Sequence, residues 1–173
     1  DQPDRVMMNL IDTLLNNPAI DQIAGRCSDG SVLVMSQHGK AIIAQTDENK
    51  ICYRHYDGDP FNYPAGLCGI YDDSELHKKT LNSDYPDAPR QLLQIFSSHR
   101  CGHLVVTAAP GYDLRARYER PPHLGSHGSL HRQHMIVPML FNQELKTSPW
   151  RTVDFYPTAL QAIGIPLKNH IDG

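Results

Sequence analysis

Four histidines, His123, His127, His131 and His134, fall within twelve residues of the stretch "HLGSHGSLHRQHMIVPMLFNQ", residues 123–143. Imidazole is a common ligand for zinc, and on a helix an i, i+4 spacing puts two such rings on one face. His123, His127 and His131 have that spacing. Pro121, Pro122, Gly125 and Gly128 interrupt the run, however, and a helix there would have to absorb two prolines and two glycines. Without the helix the spacing loses its geometric meaning. A polar loop in which one histidine has a special task is the better reading. His127 is the candidate, because it sits between Gly125-Ser126 and Gly128-Ser129, and small neighbours let a backbone approach a site closely.

Other residues that could do chemistry have plainer roles. Arg115, Arg117 and Arg120 precede the histidine loop and could bind an anion, but a solvated, salt-bridged loop is the commoner explanation. Asp154 could be pictured as a carboxylate ligand, yet its place before "FYPTAL" suits a helix cap. The four cysteines, Cys27, Cys52, Cys68 and Cys101, form no C-x-x-C pair, which removes zinc-ribbon and thioredoxin readings; two disulfides could form in a secreted protein, but buried free thiols are the better reading. Trp150 and the eight tyrosines are scattered, as core and edge residues are, not as a base-stacking platform is.

The elements that must position these residues follow from periodicity. "PDRVMMNLIDTLLNNP" carries Val6, Leu10, Ile11, Leu14 and Leu15 at helical spacing, with Pro18 as a stop. Val32–Met35 and Ala41–Ala44 flank the turn Gln37-His38-Gly39. Ile51 and Tyr53 continue an antiparallel meander that ends at "DGDP". The stretch from Phe61 to Pro89 reads as loop-rich. "PDAPRQLLQIFSSH" predicts a short helix opened by prolines. "LVVT" at 104–107 and "MIVPMLF" at 135–141 predict buried strands, and "DFYPTALQAIGIP" a helix stopped by Gly164 and Pro166. The expected fold class is α/β (α+β), a single or partial domain over 1–173. It comprises an antiparallel meander lobe at 20–60 and a strand–loop–strand–helix part at 86–173.

The net charge of -3 gives no electrostatic reason to expect a nucleic-acid polymer as partner. No apolar run approaches the roughly 20 residues of a membrane span. The first residues are neither a signal peptide nor an initiator Met, so the chain reads as a piece from which a targeting segment could be missing.

The ordered series "LVVTAAPGYDL", "GSHGSLHRQHMIVPMLF" and "RTVDFYPTALQAIGIP…IDG" resembles the last third of an alkaline-phosphatase superfamily enzyme. The likeness is to its type I phosphodiesterase / nucleotide pyrophosphatase branch. In that branch a strand leads to a G-x-H-G-S loop, here Gly125–Ser129. A strand containing V-P follows, here Val137-Pro138. Next comes a helix introduced by D-x-x-P-T, here Asp154–Thr158, and ended by Gly164-Ile165, and finally Asp172-Gly173. The resemblance implies a C-terminal part of an alkaline-phosphatase-like fold with a small meander lobe. Its members hydrolyse phosphate esters at two divalent metals, usually zinc, with a Thr or Ser nucleophile, the paired cations offsetting charge on attacking and leaving oxygens. It implies His127 as the last of the metal ligands.

The family's other motifs have no counterpart in this sequence. "GDP" at 58–60 is not D-H-G, and "SQHGK" at 36–40 has Gln37 where that motif needs aspartate, so His38 reads as a hairpin-turn residue. One imidazole cannot hold a catalytic zinc, which takes at least three protein ligands. The expectation is therefore a fragment that is inactive alone, with no tightly bound metal, the zinc and the phosphate ester substrate belonging to the intact parent. A fragment should expose an apolar face and self-associate. The alternatives are a non-catalytic binding module and an independent histidine-loop metal protein.

Overall fold

A computed structural model describes residues 3–64, 66–115, 120–121, 125–142 and 150–166. The chain divides into two compact units, Asp1–Val137 and Pro138–Gly173.

The first unit is a six-stranded antiparallel sheet with helices, a mixed α/β fold. In chain order its elements are α1 (Pro3–Leu15), β1 (Ile20–Arg26), β2 (Val32–Ser36), β3 (Gly39–Gln45), β4 (Ile51–Tyr56) and β5 (Gly69–Tyr71). They are followed by α2 (Asp73–Thr80), α3 (Ala88–Ser97), β6 (Leu104–Ala108) and α4 (Arg132–Met135). The strands lie in the order β5-β4-β3-β2-β1-β6. The expected three-stranded meander, β2 to β4, is thus extended at both ends, by β5 beside β4 and by β1 and then β6 beside β2.

Alternation along the strands divides the core in two. Ala24, Val32, Val34, Ala41, Ile43, Ile51 and Tyr53 point to one face, where they pack with Phe61, Tyr63, Leu76, Tyr85, Leu92 and Phe96. Ile23 and Met35 point to the other and pack with Ile20 and with Ile11 of α1. Burying such side chains contributes about 1.5–3 kcal/mol each, so both faces of β1 and β2 fix the register. Leu10, placed on the apolar stripe by its spacing, is instead exposed.

The loop-rich segment between Phe61 and Pro89 contains both β5 and α2. Its helix lacks an apolar stripe: Leu76, His77 and Thr80 are its buried residues, and the sequence "DSELHKKT" is stabilised by acids in the first turn and bases in the last. The predicted helix after the prolines is α3, with Pro89 in its first turn. β6 is half-buried except for Thr107, because it forms an edge of the sheet and lacks a second neighbour. The predicted strand at 135–141 is corrected. Arg132–Met135 is a short helix and 136–141 pairs with no described strand, so Ile136 and Val137 stand 49% and 52% exposed.

In the second unit, Phe141 packs against Trp150 and Phe155, with ring centroids 5.8 and 5.9 Å apart. The predicted terminal helix is α5 (Phe155–Ala162), entered through a 3-10 turn at Thr152–Asp154. Asp154 occupies the cap position of α5, but its carboxylate accepts from the backbone N–H of Arg151 at 2.7 Å, closing the 3-10 turn and not the helix. Leu140 is 92% exposed.

Candidate functional site

The histidine loop, 125–135, is fixed at its C-terminal end to the turn between α2 and α3. Ser129 is buried, and its Oγ accepts from the backbone N–H of His131 at 3.1 Å. His131 caps α4, its Nδ1 accepting from the Gln133 N–H at 3.4 Å. The Arg132 N–H donates to the Asp84 carbonyl at 2.7 Å, and its guanidinium reaches the Asn82 carbonyl at 3.4 Å. At the other end Ser126 Oγ bonds the Asp113 carboxylate at 3.4 Å. Between these anchors Gly128 adopts φ +98°, which a side chain resists, and His127 is exposed.

The turn that receives the loop is built from aromatic rings. Tyr53, Phe61 and Tyr85 follow one another with centroids 6.2 and 5.5 Å apart. Tyr85 then meets His131 edge-on at 5.6 Å. Tyr63 donates to the Tyr85 carbonyl at 2.7 Å. Burial pushes the Tyr53, Tyr63 and Tyr85 hydroxyls well above the ordinary tyrosine range, so all three act as neutral donors. These aromatics are core residues, and their ring contacts run from β4 to His131.

Tyr85 also donates to Asp21 Oδ1 at 2.8 Å. Burial raises the Asp21 carboxyl above its ordinary range, against the opposing effects of the Tyr85 bond and of nearby His131 and His38. Asp21 lies where the β1–β6 register shifts between Ile20 and Gln22. Sequence reading missed it, since β1 was not assigned as a strand; the usable signal was Asp and Gln beside Ile20 and Ile23.

The predicted residues are only partly brought together. His131 joins Asp21 and Tyr85, while His127 stands apart on the exposed crest. His38 is exposed at the tip of the two-residue β2–β3 turn, as expected of a hairpin residue. Arg115 pairs with Asp113 at 3.0 Å, the salt-bridged reading, and Arg120 is exposed. His123, Arg117, Asp172 and Gly173 lie outside the described residues. All four cysteines are free; Cys27, Cys52 and Cys101 are half-buried and Cys68 exposed, so the fully buried thiols expected are not found.

Among the described residues no three His, Cys, Asp or Glu side chains are grouped so that they could hold a metal ion, and no helix is long and apolar enough to cross a membrane. Comparison of the chain with protein-family models, with curated proteins and with solved structures found no match.

Proposed function

We propose that this chain is the C-terminal part of a metal-dependent phosphoesterase resembling the type I phosphodiesterase / nucleotide pyrophosphatase branch, and that it contributes His127 to the metal site. The observation that carries the reading is the presentation of His127: an exposed imidazole on a loop fixed on both sides, with Gly128 in a left-handed conformation beside it. A ligand contributed to a site built elsewhere needs that combination of rigidity and access.

The described residues do not themselves fit a bound divalent metal. They offer His127 as one nitrogen donor where zinc sites use three or more protein ligands, and no catalytic step is assigned to them. The nucleophile and the remaining ligands belong, on this reading, to polypeptide outside residues 1–173. Exposure of Ile136 and Val137 supports it too, since apolar residues that no described residue covers suit a piece separated from the rest of its core. Self-association of the isolated chain follows from the same surface and is checked by sedimentation at rising concentration.

The decisive test is the coding sequence upstream of Asp1. An open frame encoding an Asp followed by a Thr or Ser nucleophile, and later a D-H-G, supports the proposal. A start codon or signal peptide directly upstream overturns it and favours a non-catalytic binding module.

A further inference from the structure

The irregularity between Ile20 and Gln22 gathers polar atoms that the sheet does not satisfy. Ile20 is opposite Ala108 and Gln22 opposite Thr107, which leaves Asp21 as the extra residue of a β-bulge. Gln22 alternates with Ile23, whose side chain packs on the α1 side, so Gln22 shares the opposite face with Ala24. Asp21 reaches that same face, because its Oδ1 accepts from Tyr85, a member of the same cluster. A bulge re-aims side chains in this way, setting consecutive residues on one side of a sheet.

Gln22 is 1% exposed and Thr107 6%. Both amide atoms of Gln22, Thr107 Oγ1 and Asp21 Oδ2 are buried and find no hydrogen-bond partner among the described residues. Opposed residues in an antiparallel pair have Cβ atoms about 5 Å apart, so Gln22 and Thr107 are close enough to bond each other, yet they do not. Leaving such groups unsatisfied is costly, and here four unpartnered atoms belong to three residues paired across one irregularity of the sheet. A small molecule able both to donate and to accept resolves all four.

We propose that the bulge forms an internal hydration site, in which ordered water is held by Asp21 Oδ2, the Gln22 carboxamide and Thr107 Oγ1. The groups supply both donors and acceptors, and the two to four polar partners that a buried water takes are present. Tyr85 bonds Asp21 on one side and packs on His131 on the other, so this water forms part of the floor on which the histidine loop rests. The site is independent of any metal chemistry at His127 and stands or falls separately from it.

Two measurements on the full chain test the site. In the unsubstituted protein, the Gln22 side-chain amide protons give nuclear Overhauser cross-peaks to water of the sign that marks a long residence. Separately, Thr107→Val lowers Tm by several degrees, because the held water loses a partner. Absence of the water cross-peaks overturns the proposal without any variant having to fold. A Tm raised by Thr107→Val also overturns it, since gain from an apolar isostere means that the hydroxyl had no partner to lose.

Discussion

Gly39 and Gly58 meet backbone to backbone where the β2–β3 turn crosses the loop after β4. A Cβ on Gly39 would lie 2.6 Å from both the Gly58 oxygen and the Asp59 nitrogen, and one on Gly58 would overlap the His38 carbonyl oxygen. Both residues also hold positive φ, +147° and +97°. Contact of two main chains leaves no flexible side chain to move aside. Gly58→Ala should therefore destabilise by about 3 kcal/mol or more, in the range of severe core lesions. Gly30 offers the control: its φ is +86° but a Cβ there meets nothing within 4 Å, so Gly30→Ala should cost only about 1–2 kcal/mol of left-handed strain. Urea denaturation of the two variants checks the difference; equal losses would refute the close-approach argument.

The loop that Gly58 introduces is fixed by one carboxylate. Asp59 Oδ1 accepts from Tyr53 Oη and from the Phe61 N–H, each at 2.8 Å. Tyr53→Phe removes one partner and leaves the Phe61 bond intact, so the expected loss is about 1 kcal/mol. Asp59→Ala strands both the Tyr53 hydroxyl and the Phe61 amide and should cost about 2–4 kcal/mol, the penalty of two unsatisfied groups. Thermal melts that rank Tyr53→Phe as the worse variant would contradict this assignment.

Elements with an apolar period were legible in the sequence, and those specified by pairing were not. Leu92 and Phe96 announced α3, and Val32, Val34, Ala41 and Ile43 announced the hairpin, because each alternates or recurs against one buried face. β1 escaped because the bulge at Asp21 and the buried Gln22 break its alternation. α2 escaped because it buries little apolar surface. The run "MIVPMLF" has a strand's composition, but a strand also needs a partner's N–H and C=O groups, and periodicity cannot supply them. At the site, the glycine-flanked exposure of His127 was legible; the contact of His131 with Tyr85 was not, since it depends on a turn 46 residues away whose position is set by Phe61 and Tyr63.

His127 is exposed, so its replacement separates a ligand role from a structural one. His127→Ala should leave Tm nearly unchanged, within about 0.5 kcal/mol of the parent chain, as for other exposed sites. His131→Ala should be costlier, because it removes the cap of α4 and the edge contact with Tyr85; about 1 kcal/mol is the expected loss. Circular-dichroism melts of the two variants decide the matter, and a His127→Ala protein that fails to fold would exclude the picture of a presented ligand.

Asp21 should make stability depend on pH in a direction opposite to most carboxylates. Burial raises its carboxyl in the folded chain, with Tyr85, His131 and His38 opposing. Below the ordinary aspartate pKa both folded and unfolded chains hold the proton, and the folded state keeps its full benefit. As pH rises through the window between the ordinary value and the raised one, the unfolded chain releases its proton first. Native stability is then lost, and the loss is complete above the folded value. Asp21→Asn cannot titrate, yet its side-chain oxygen can still accept from Tyr85. The variant should therefore match the parent near pH 4 or below, since Asp ionises at about 3.9 when unperturbed, and should become relatively more stable as pH approaches neutrality. Urea midpoints of both proteins between about pH 4 and pH 7 measure the gap. A gap that closes as pH rises would mean that Asp21 is held as a stabilising carboxylate, with its attraction to His131 and His38 outweighing its burial.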